Sequence, residues 1–248
     1  MQFSERLAEE LHPGTVQLAT PVTKIQQLGT GTVRVSAGLS KTVYCKKVII
    51  SAPTSTYSQI EFLPPLPAPK RLLSESTILG YTSKVVLVFE RPWWREGPKA
   101  CSGSISCADG PITFSRDTSY PDQGLWSITC FINGKHAREW CPLPEARRKK
   151  EILEYFNKAM GTIFEIVPPP IAIHEISWSN YQWYPGGPCP GMGPNLLTSE
   201  AGLSLCAPFG DVHFVGTETA LKNPGYMDGA LHSGSRGANE VMAALEGY

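Results

Sequence analysis

Apolar residues recur along this chain at two spacings, and the switches between them divide it into elements. Residues 4–11 (SERLAEEL) read as the end of a helix closed by His12-Pro13-Gly14. From Thr15 to Ala52 the period is two. Val16 and Leu18 alternate, Pro21-Val22 interrupts, Val33 and Val35 alternate again, and Val43 and Val48-Ile49-Ile50 complete a β-meander. Its turns are Gly29-Thr30-Gly31 and Gly38-Leu39-Ser40, and Ser51-Ala52-Pro53 ends the last strand. Pro64-Pro65-Leu66-Pro67 makes a stiff connector, and Ala68 to Leu79 is expected to be helical. Lys84 to Glu90 (KVVLVFE) is the clearest strand, and Leu125 to Asn133 is another. Pro144 to Met160 predicts an amphipathic helix with Ile152, Phe156 and Ala159 on one face, stopped by Gly161. Ile171 to Ser177 reads as a strand leading into an aromatic, glycine-rich loop from Trp178 to Pro194. Last, Val212, Phe214 and Val215 form a short β-type run that stops at Gly216. A polar turn with Asn223, Pro224 and Gly225 follows, then a helical stripe of Leu231, Ala238, Val241, Met242 and Leu245. The pattern implies a mixed α+β domain ending in a fragment of something else.

Composition narrows the function classes. A chain of 248 residues can bury one large or two modest cores. Acids and bases balance at 22 each, so no basic field argues for nucleic acid or an anionic membrane. Arg147-Arg148-Lys149-Lys150 sits beside Glu145, Glu151 and Glu154, as a solvated helix face would. The apolar runs Val48–Ile50 and Val85–Phe89 are too short to span a bilayer, and the N-terminus lacks the form of a signal peptide. Seven scattered cysteines without CxxC pairs favour reduced thiols, a cytoplasmic setting and no zinc site. GxSxG, HExxH and a P-loop are all missing, so hydrolase and metalloenzyme readings are poor.

The stretch from Phe214 to Met242 carries the strongest chemical signal. A strand, a glycine-bearing turn and a helix N-terminus form a cradle for an anionic cofactor, because unpaired backbone N–H groups and the helix dipole favour negative charge. Its wording, GTETA and then GYMDGALHSGSRGA, resembles the flavin-binding C-terminal segment of the flavin-containing monoamine oxidase family. The resemblance runs in order through nearly the whole chain. It takes in LATPVTKI, VIISAP before FLPPLP, GYTSKVVLVFERPWWRE, LWSITCFINGKHAREW, and the tryptophan and Gly-Gly of the loop. It implies a mixed-sheet substrate domain with helices, joined to a C-terminal strand–helix fragment of an FAD-binding, Rossmann-like α/β domain. The expected divisions are residues 1–58 on the FAD-domain side, 59–172 for substrate, and 173–248 for the flavin-contacting loop and C-terminal part.

The resemblance also assigns roles. Lys84 would reach the flavin N5 through a water, although a lysine at a strand start is ordinarily a solvated end. Tyr226 would be one wall of the aromatic cage that orients the amine, although it could equally pack in its turn. Val22 would neighbour the adenine. Trp178 would line the flavin, and a core tryptophan is an equally good reading. Gly216, Thr217, Glu218 and Gly225 would approach the ribityl and pyrophosphate with their backbone more than with charge. The Met227 N–H would point at the flavin pyrimidine, where a helix N-terminus favours the charge of the reduced ring.

Two departures qualify this. The family's Gly-Gly-Cys-Tyr is replaced by Gly186-Gly187-Pro188-Cys189-Pro190, which moves the sulfur one place and removes the second aromatic wall. Non-covalent FAD is therefore expected, with Cys189 attachment the alternative if the loop adjusts, and Trp183 and Tyr184 are candidate substitute walls. Moreover, no GxGxxG occurs, so the pyrophosphate turn and the ribose-binding acid of the family would lie upstream of Met1. The expected function is half of an FAD-dependent oxidase turning an amine into an imine with oxygen reduced to peroxide. Its expected partner is a complementing N-terminal half or a second copy. The alternative is a truncated, non-catalytic domain that binds a partner.

Overall fold

A computed structural model describes residues 2–29, 31–106, 109–183 and 186–246. Helix α1 (Gln2–Glu9) leads to strands β1 (Val22–Gln27), β2 (Val33–Ala37), β3 (Lys41–Cys45), β4 (Val48–Ile50) and β5 (Glu61–Leu63). Next come α2 (Ala68–Ser76), β6 (Thr77–Leu79), β7 (Thr82–Phe89), β8 (Phe114–Asp117), β9 (Trp126–Asn133), α3 (Gly134–Trp140) and α4 (Glu145–Met160). The chain closes with β10 (Ala172–Ser177), β11 (Pro190–Met192), α5 (Glu200–Ser204), β12 (Val212–Phe214) and α6 (Met227–Glu246). It divides into two compact units, residues 1–77 with 192–248, and residues 78–191. Strand pairing sets these units: β5 joins β1 in parallel within the first, while β10 joins β7 within the second.

In the first unit a sheet of order β3-β2-β1-β5 carries the meander. Val16 and Leu18, expected as a strand, are exposed and lie outside any element, because no neighbouring strand offers them a ladder. The last meander run also departs from expectation. β4 leaves the meander and pairs in parallel with β12, Val48 opposite Val212 and Ile50 opposite Phe214. Its continuous VII run suits a parallel strand covered on both faces better than an alternating one. Ile25, Val33, Ile50, Tyr57, Phe62, Leu66, Val212 and Phe214 make the core of this unit. Helix α2 stops at Ser76, not Leu79, where β-branched Thr77 and Ile78 turn extended and Thr77 Oγ1 donates back to the Leu73 carbonyl at 2.6 Å.

Helix α6 reverses the expected polarity of its faces. Its buried residues are Gly229, Ser233 and Gly237, while Leu231, Met242 and Leu245 are exposed. A Cβ at Gly237 would run into Val215, so the small-residue face is what lets the helix lie close on the end of β12.

The second unit is built on an antiparallel sheet, β10-β7-β9-β8. Strand β7 alternates as its sequence predicts, with Ser83, Val85, Leu87 and Phe89 buried. Against that face pack Trp93, Trp94, Ile128, Ile132, Trp140 and, from α4, Ile152, Phe156 and Met160. Trp93 and Trp94 meet edge to face at 5.6 Å, and Phe89 contacts both. Among the described residues, no helix is long and apolar enough to cross a membrane, and no cluster of side chains could hold a metal ion.

Candidate functional site

In the first unit the site grows from the end of β12. Gly216 has φ 120° and ψ 166°, a conformation open to glycine and strained for other residues. Its N–H donates to Ser233 Oγ at 2.8 Å, and Ser233 lies on the buried face of α6. Thr217 Oγ1 donates to the Tyr226 carbonyl at 2.9 Å, so the turn after β12 is tied to the residue that opens the helix. Asn223 and Gly225 take positive φ in the intervening loop, and Asn223 Nδ2 donates to Asp228 at 2.6 Å. Gly229 must be small here, since a Cβ would collide with the Asn223 carbonyl. The loop is thereby pressed onto the first turn of α6. The side chains of Tyr226 and Met227 project outward, at 71% and 70% exposure.

The first-turn N–H groups of α6 point out of its N-terminus without helical acceptors, so this end attracts a negative or electron-rich group. The Tyr226 N–H is the exception, because it is spent on the Asn223 carbonyl at 3.2 Å. Glu218 plays a different part. Its carboxylate accepts from the Thr54 N–H at 2.8 Å and from the Thr54 hydroxyl, capping the 3-10 turn Thr54–Gln59. Its charge is engaged within the protein. Val22 opens β1 beside an irregularity in its pairing with β2.

Sequence reasoning missed the supports of this cradle. Arg236 donates to the Phe214 carbonyl at 2.7 Å, to Thr219 Oγ1 at 3.0 Å and to Glu240 at 2.5 Å. Glu240 also meets His213 Nδ1 at 3.0 Å. Burial opposes the charge on Glu240, but His213 and Arg236 outweigh it and hold the carboxyl below its usual range. Arg236 and Glu240 stand four apart on α6, which was the available signal. Lys70 was also missed. It is 2% exposed, lies 3.8 Å from the Phe214 ring centroid and donates to the Ser204 carbonyl at 2.5 Å. Burial lowers its pKa to about 8, with Cys206 opposing and Arg236 assisting.

In the second unit, Lys84 projects from the partly exposed face of β7. Its ammonium lies 5.0 Å from the Trp178 ring centroid and 5.2 Å from that of Phe131. Two aromatic faces thus flank a cation that, among the described residues, has no carboxylate partner. Phe131 was not anticipated; it is the direct partner of Lys84 across the β7–β9 ladder. The Gly186-Gly187 loop is clamped to the start of β7, far from it in sequence. The Gly187 N–H donates to the Gly80 carbonyl at 2.7 Å, and Thr82 Oγ1 donates to the Gly187 carbonyl at 2.7 Å. A Cβ at Gly80 would stand 2.6 Å from the Gly187 oxygen and one at Gly186 2.6 Å from the Gly80 oxygen, so each side of this crossing needs a glycine. Cys189 follows, exposed and in no disulfide, and Trp183 is half exposed. Tyr184 lies outside the described residues. The structure therefore groups Gly216, Thr217, Gly225, Tyr226 and Met227 in one unit, and Lys84 with Trp178 in the other.

A turn that presents backbone N–H groups at a helix start in one unit, and an aromatic-flanked cation in the other, are the two features of the described residues with chemical character. Comparison with known proteins specifies the family: the model of the flavin-containing amine oxidoreductases matches residues 1–242, and the chain belongs to that family. It is 32% identical over 244 residues to the horse (Equus caballus) flavin-containing amine oxidase A, covering 98% of this chain and 45% of that protein. With the dog (Canis lupus familiaris) flavin-containing amine oxidase B it shares 32% over 245 residues, covering 98% and 46%. Among solved structures, cyclohexylamine oxidase from Brevibacterium oxydans superposes with a TM-score of 0.87 at 27% identity, over 99% of this chain and 52% of that one. Putrescine oxidase bound to putrescine gives 0.86 at 27%, over 98% and 52%. The chain spans about half the length of the relatives it matches.

Proposed function

We propose that this chain is the substrate-facing and flavin-facing half of an FAD-dependent amine oxidase. FAD, when bound, supplies the two-electron acceptance that turns an amine into an imine and oxygen into hydrogen peroxide. The observation that carries the reading is the first turn of α6, held against Gly216 and Thr217 with Tyr226 exposed at its start. The residues present suit the flavin end of the cofactor. The N–H groups of Met227 and Asp228 and the helix dipole would favour charge on the isoalloxazine ring. Tyr226 offers an apolar wall with a polar tip, which orients an amine by its body and leaves its nitrogen free. Lys84, which has no carboxylate partner among the described residues, is the cation suited to stabilising charge on a reduced flavin. The pyrophosphate has no such seat, since no GxGxxG occurs in the 248 residues. A complementing N-terminal half that carries the strand, glycine turn and helix completes the site. Cys189 leaves the flavin non-covalent, because Pro188 and Pro190 constrain the loop around it.

The test is reconstitution. The chain alone, and the chain mixed with a relative's N-terminal strand–turn–helix segment, are titrated with FAD and followed by visible absorption. Peroxide release is then measured over a panel of primary amines. Flavin uptake by the mixture only, with peroxide from at least one amine, is the expected result. Tyr226→Ala should lower turnover more than flavin content, and acid precipitation should leave the flavin in the supernatant. A mixture that takes up no flavin would end the oxidase reading. A yellow monomer of the chain alone would end the claim that a second half is needed.

A further inference from the structure

On the face of β7 opposite Lys84, three polar side chains interrupt the apolar core. Ser83, fully buried, donates to Ser177 Oγ at 3.0 Å. Cys141 Sγ lies 3.1 Å from Ser83 Oγ and 2.9 Å from Ser177 Oγ. These distances close a triangle drawn from β7, from β10 and from the residue that ends α3. Each group is both donor and acceptor, so one circuit satisfies all three: Ser83 to Ser177, Ser177 to Cys141, and Cys141 back to Ser83. Arg148 of α4 supports the same corner, donating to the Glu175 carboxylate of β10 at 3.1 Å and to the Cys141 carbonyl at 3.4 Å.

The position of the triangle is informative. Ser83 and Ser177 are direct partners on the last rung of the β7–β10 ladder. Lys84 follows the first of them and Trp178 the second. Strand alternation sends Ser83 into the core and Lys84 out, so whatever fixes the rung fixes the pair above it. β10 ends at Ser177, where a ladder would otherwise fray, and the chain then turns over Trp178–Asn180.

We propose that Ser83, Cys141 and Ser177 form a positioning cluster that holds the Trp178 ring against the Lys84 ammonium. Only its consequence, that Lys84 is thereby held toward the flavin edge, rests on the oxidase reading. None of the three touches the reacting atoms. Their effect is to keep β10 in register to its last residue, so that the cation stays beneath an aromatic face.

The test reads the accessibility of Lys84 in the full chain, without cofactor. Lysines are acylated with a water-soluble reagent under limiting conditions, and each site is quantified by peptide mass spectrometry. Ser177→Ala and Cys141→Ala should raise labelling of Lys84 about fivefold, the population shift that one lost hydrogen bond allows. The exposed Lys135 should label at the parental rate in both. Cys141→Ser, which keeps a donor and an acceptor, should restore the parental rate at Lys84. Thr129→Val serves as the control, since it breaks a separate hydroxyl contact in the same sheet, Thr118 to Thr129 at 2.7 Å. It should leave Lys84 unchanged. Equal Lys84 labelling in the parent, Ser177→Ala and Cys141→Ala overturns the proposal. So does an equal rise in Thr129→Val, or a failure of Cys141→Ser to restore the rate. If Cys141→Ala does not fold, Ser177→Ala, at a partly exposed position, carries the test. Failure of the oxidase reading would show instead as absent flavin uptake in the reconstitution, with this labelling pattern intact.

Discussion

The second unit is organised on one four-stranded sheet with an aromatic core, whereas the first divides its strands between two sheets and exposes more of its large apolar side chains. In the second, the face of the four antiparallel strands that carries Phe89 packs against Trp93, Trp94 and Phe156, and Asp117 accepts from both Trp94 Nε1 and Arg95 Nε at 2.7 Å. In the first, β4 and β12 form a parallel sheet of only two strands, α1 buries no residue, and α6 turns its larger apolar side chains outward. Parallel sheets are ordinarily wider and covered on both faces, and amphipathic helices ordinarily bury their stripe. The second unit therefore concentrates its packing in buried aromatics. The first has a smaller core around Phe214 and presents Leu231 and Met242 of α6 to solvent.

The largest expected effect sharpens that contrast. Phe156 is fully buried among Phe89 and Trp93, so Phe156→Ala should cost about 4 kcal/mol, transfer and cavity together. Leu231→Ala, on the exposed face of α6, should cost under about 0.5 kcal/mol. Urea unfolding of both variants checks the pair, and comparable losses would erase the distinction between the units.

Lys70 gives the next effect, and it belongs to the first unit alone. Its folded pKa of about 8 lies below the ordinary 10.5, so the folded state releases this proton first. Below pH 8 both states are protonated and the whole burial penalty stands. Between pH 8 and 10.5 the unfolded chain holds more protons, so stability should rise with pH across that window. The gain is about 3 kcal/mol at most. Tyr57 acts in the opposite sense in strong alkali, since burial, then Glu218 and Cys206, raise its pKa. It is common to the parent and Lys70→Met, so the difference between their unfolding free energies isolates Lys70. A difference that stays flat from pH 7 to 10.5 would refute the buried-ammonium assignment.

Much of this was legible in the sequence where local pattern and tertiary packing agree. KVVLVFE alternates and its strand alternates; Ile152 and Phe156 were expected on a buried helix face and lie there. The pattern failed where packing is set by small residues or by partners distant in the chain. Gly229, Ser233 and Gly237 carry no hydrophobic signal, yet they form the buried face of α6, because only they allow close approach to Val215 and to the 222–223 turn. Val48–Ile50 looks like one more meander strand until Val212–Phe214, far along the chain, claims it. In the site, family wording pointed to Tyr226 and Lys84. The contacts around them, Phe131 beside Lys84 and, along the α6 cradle, Ser233 on Gly216, Arg236 on Phe214 and Thr54 on Glu218, are ones that a sequence does not print.

The glycines of α6 offer a finer way to separate its two faces. A Cβ at Gly229 would strike the Asn223 carbonyl and stand 2.9 Å from that of Lys222, both backbone atoms that yield only if the loop moves. Gly229→Ala should therefore cost about 2 kcal/mol despite its better helix propensity. Gly234→Ala meets nothing within 4 Å and should instead stabilise by about 0.5–1 kcal/mol. Thermal unfolding of the two variants should move in opposite directions. Shifts of the same sign would mean that the 222–223 turn does not press on the helix.

The smallest effect on folding should be the most telling about the open surfaces. Leu231 is 64% exposed and Met242 59%, and on α1 Phe3 and Leu7 are 75% and 60% exposed. Replacing Leu231 and Met242 together by serine should change the unfolding free energy by under about 0.5 kcal/mol, because both side chains stay mostly in water on folding. The same change removes exposed apolar area, which favours association in water. Sedimentation velocity should therefore show the parent chain shifting to larger species as concentration rises, and the doubly substituted chain remaining monomeric to higher concentration. Adding the complementing N-terminal segment should suppress the parent's self-association and leave the substituted chain less well complemented. Identical sedimentation of the two chains across the concentration range would mean that this stripe covers nothing. The open character of the first unit would then have to rest on the edge of β4 and on α1 alone.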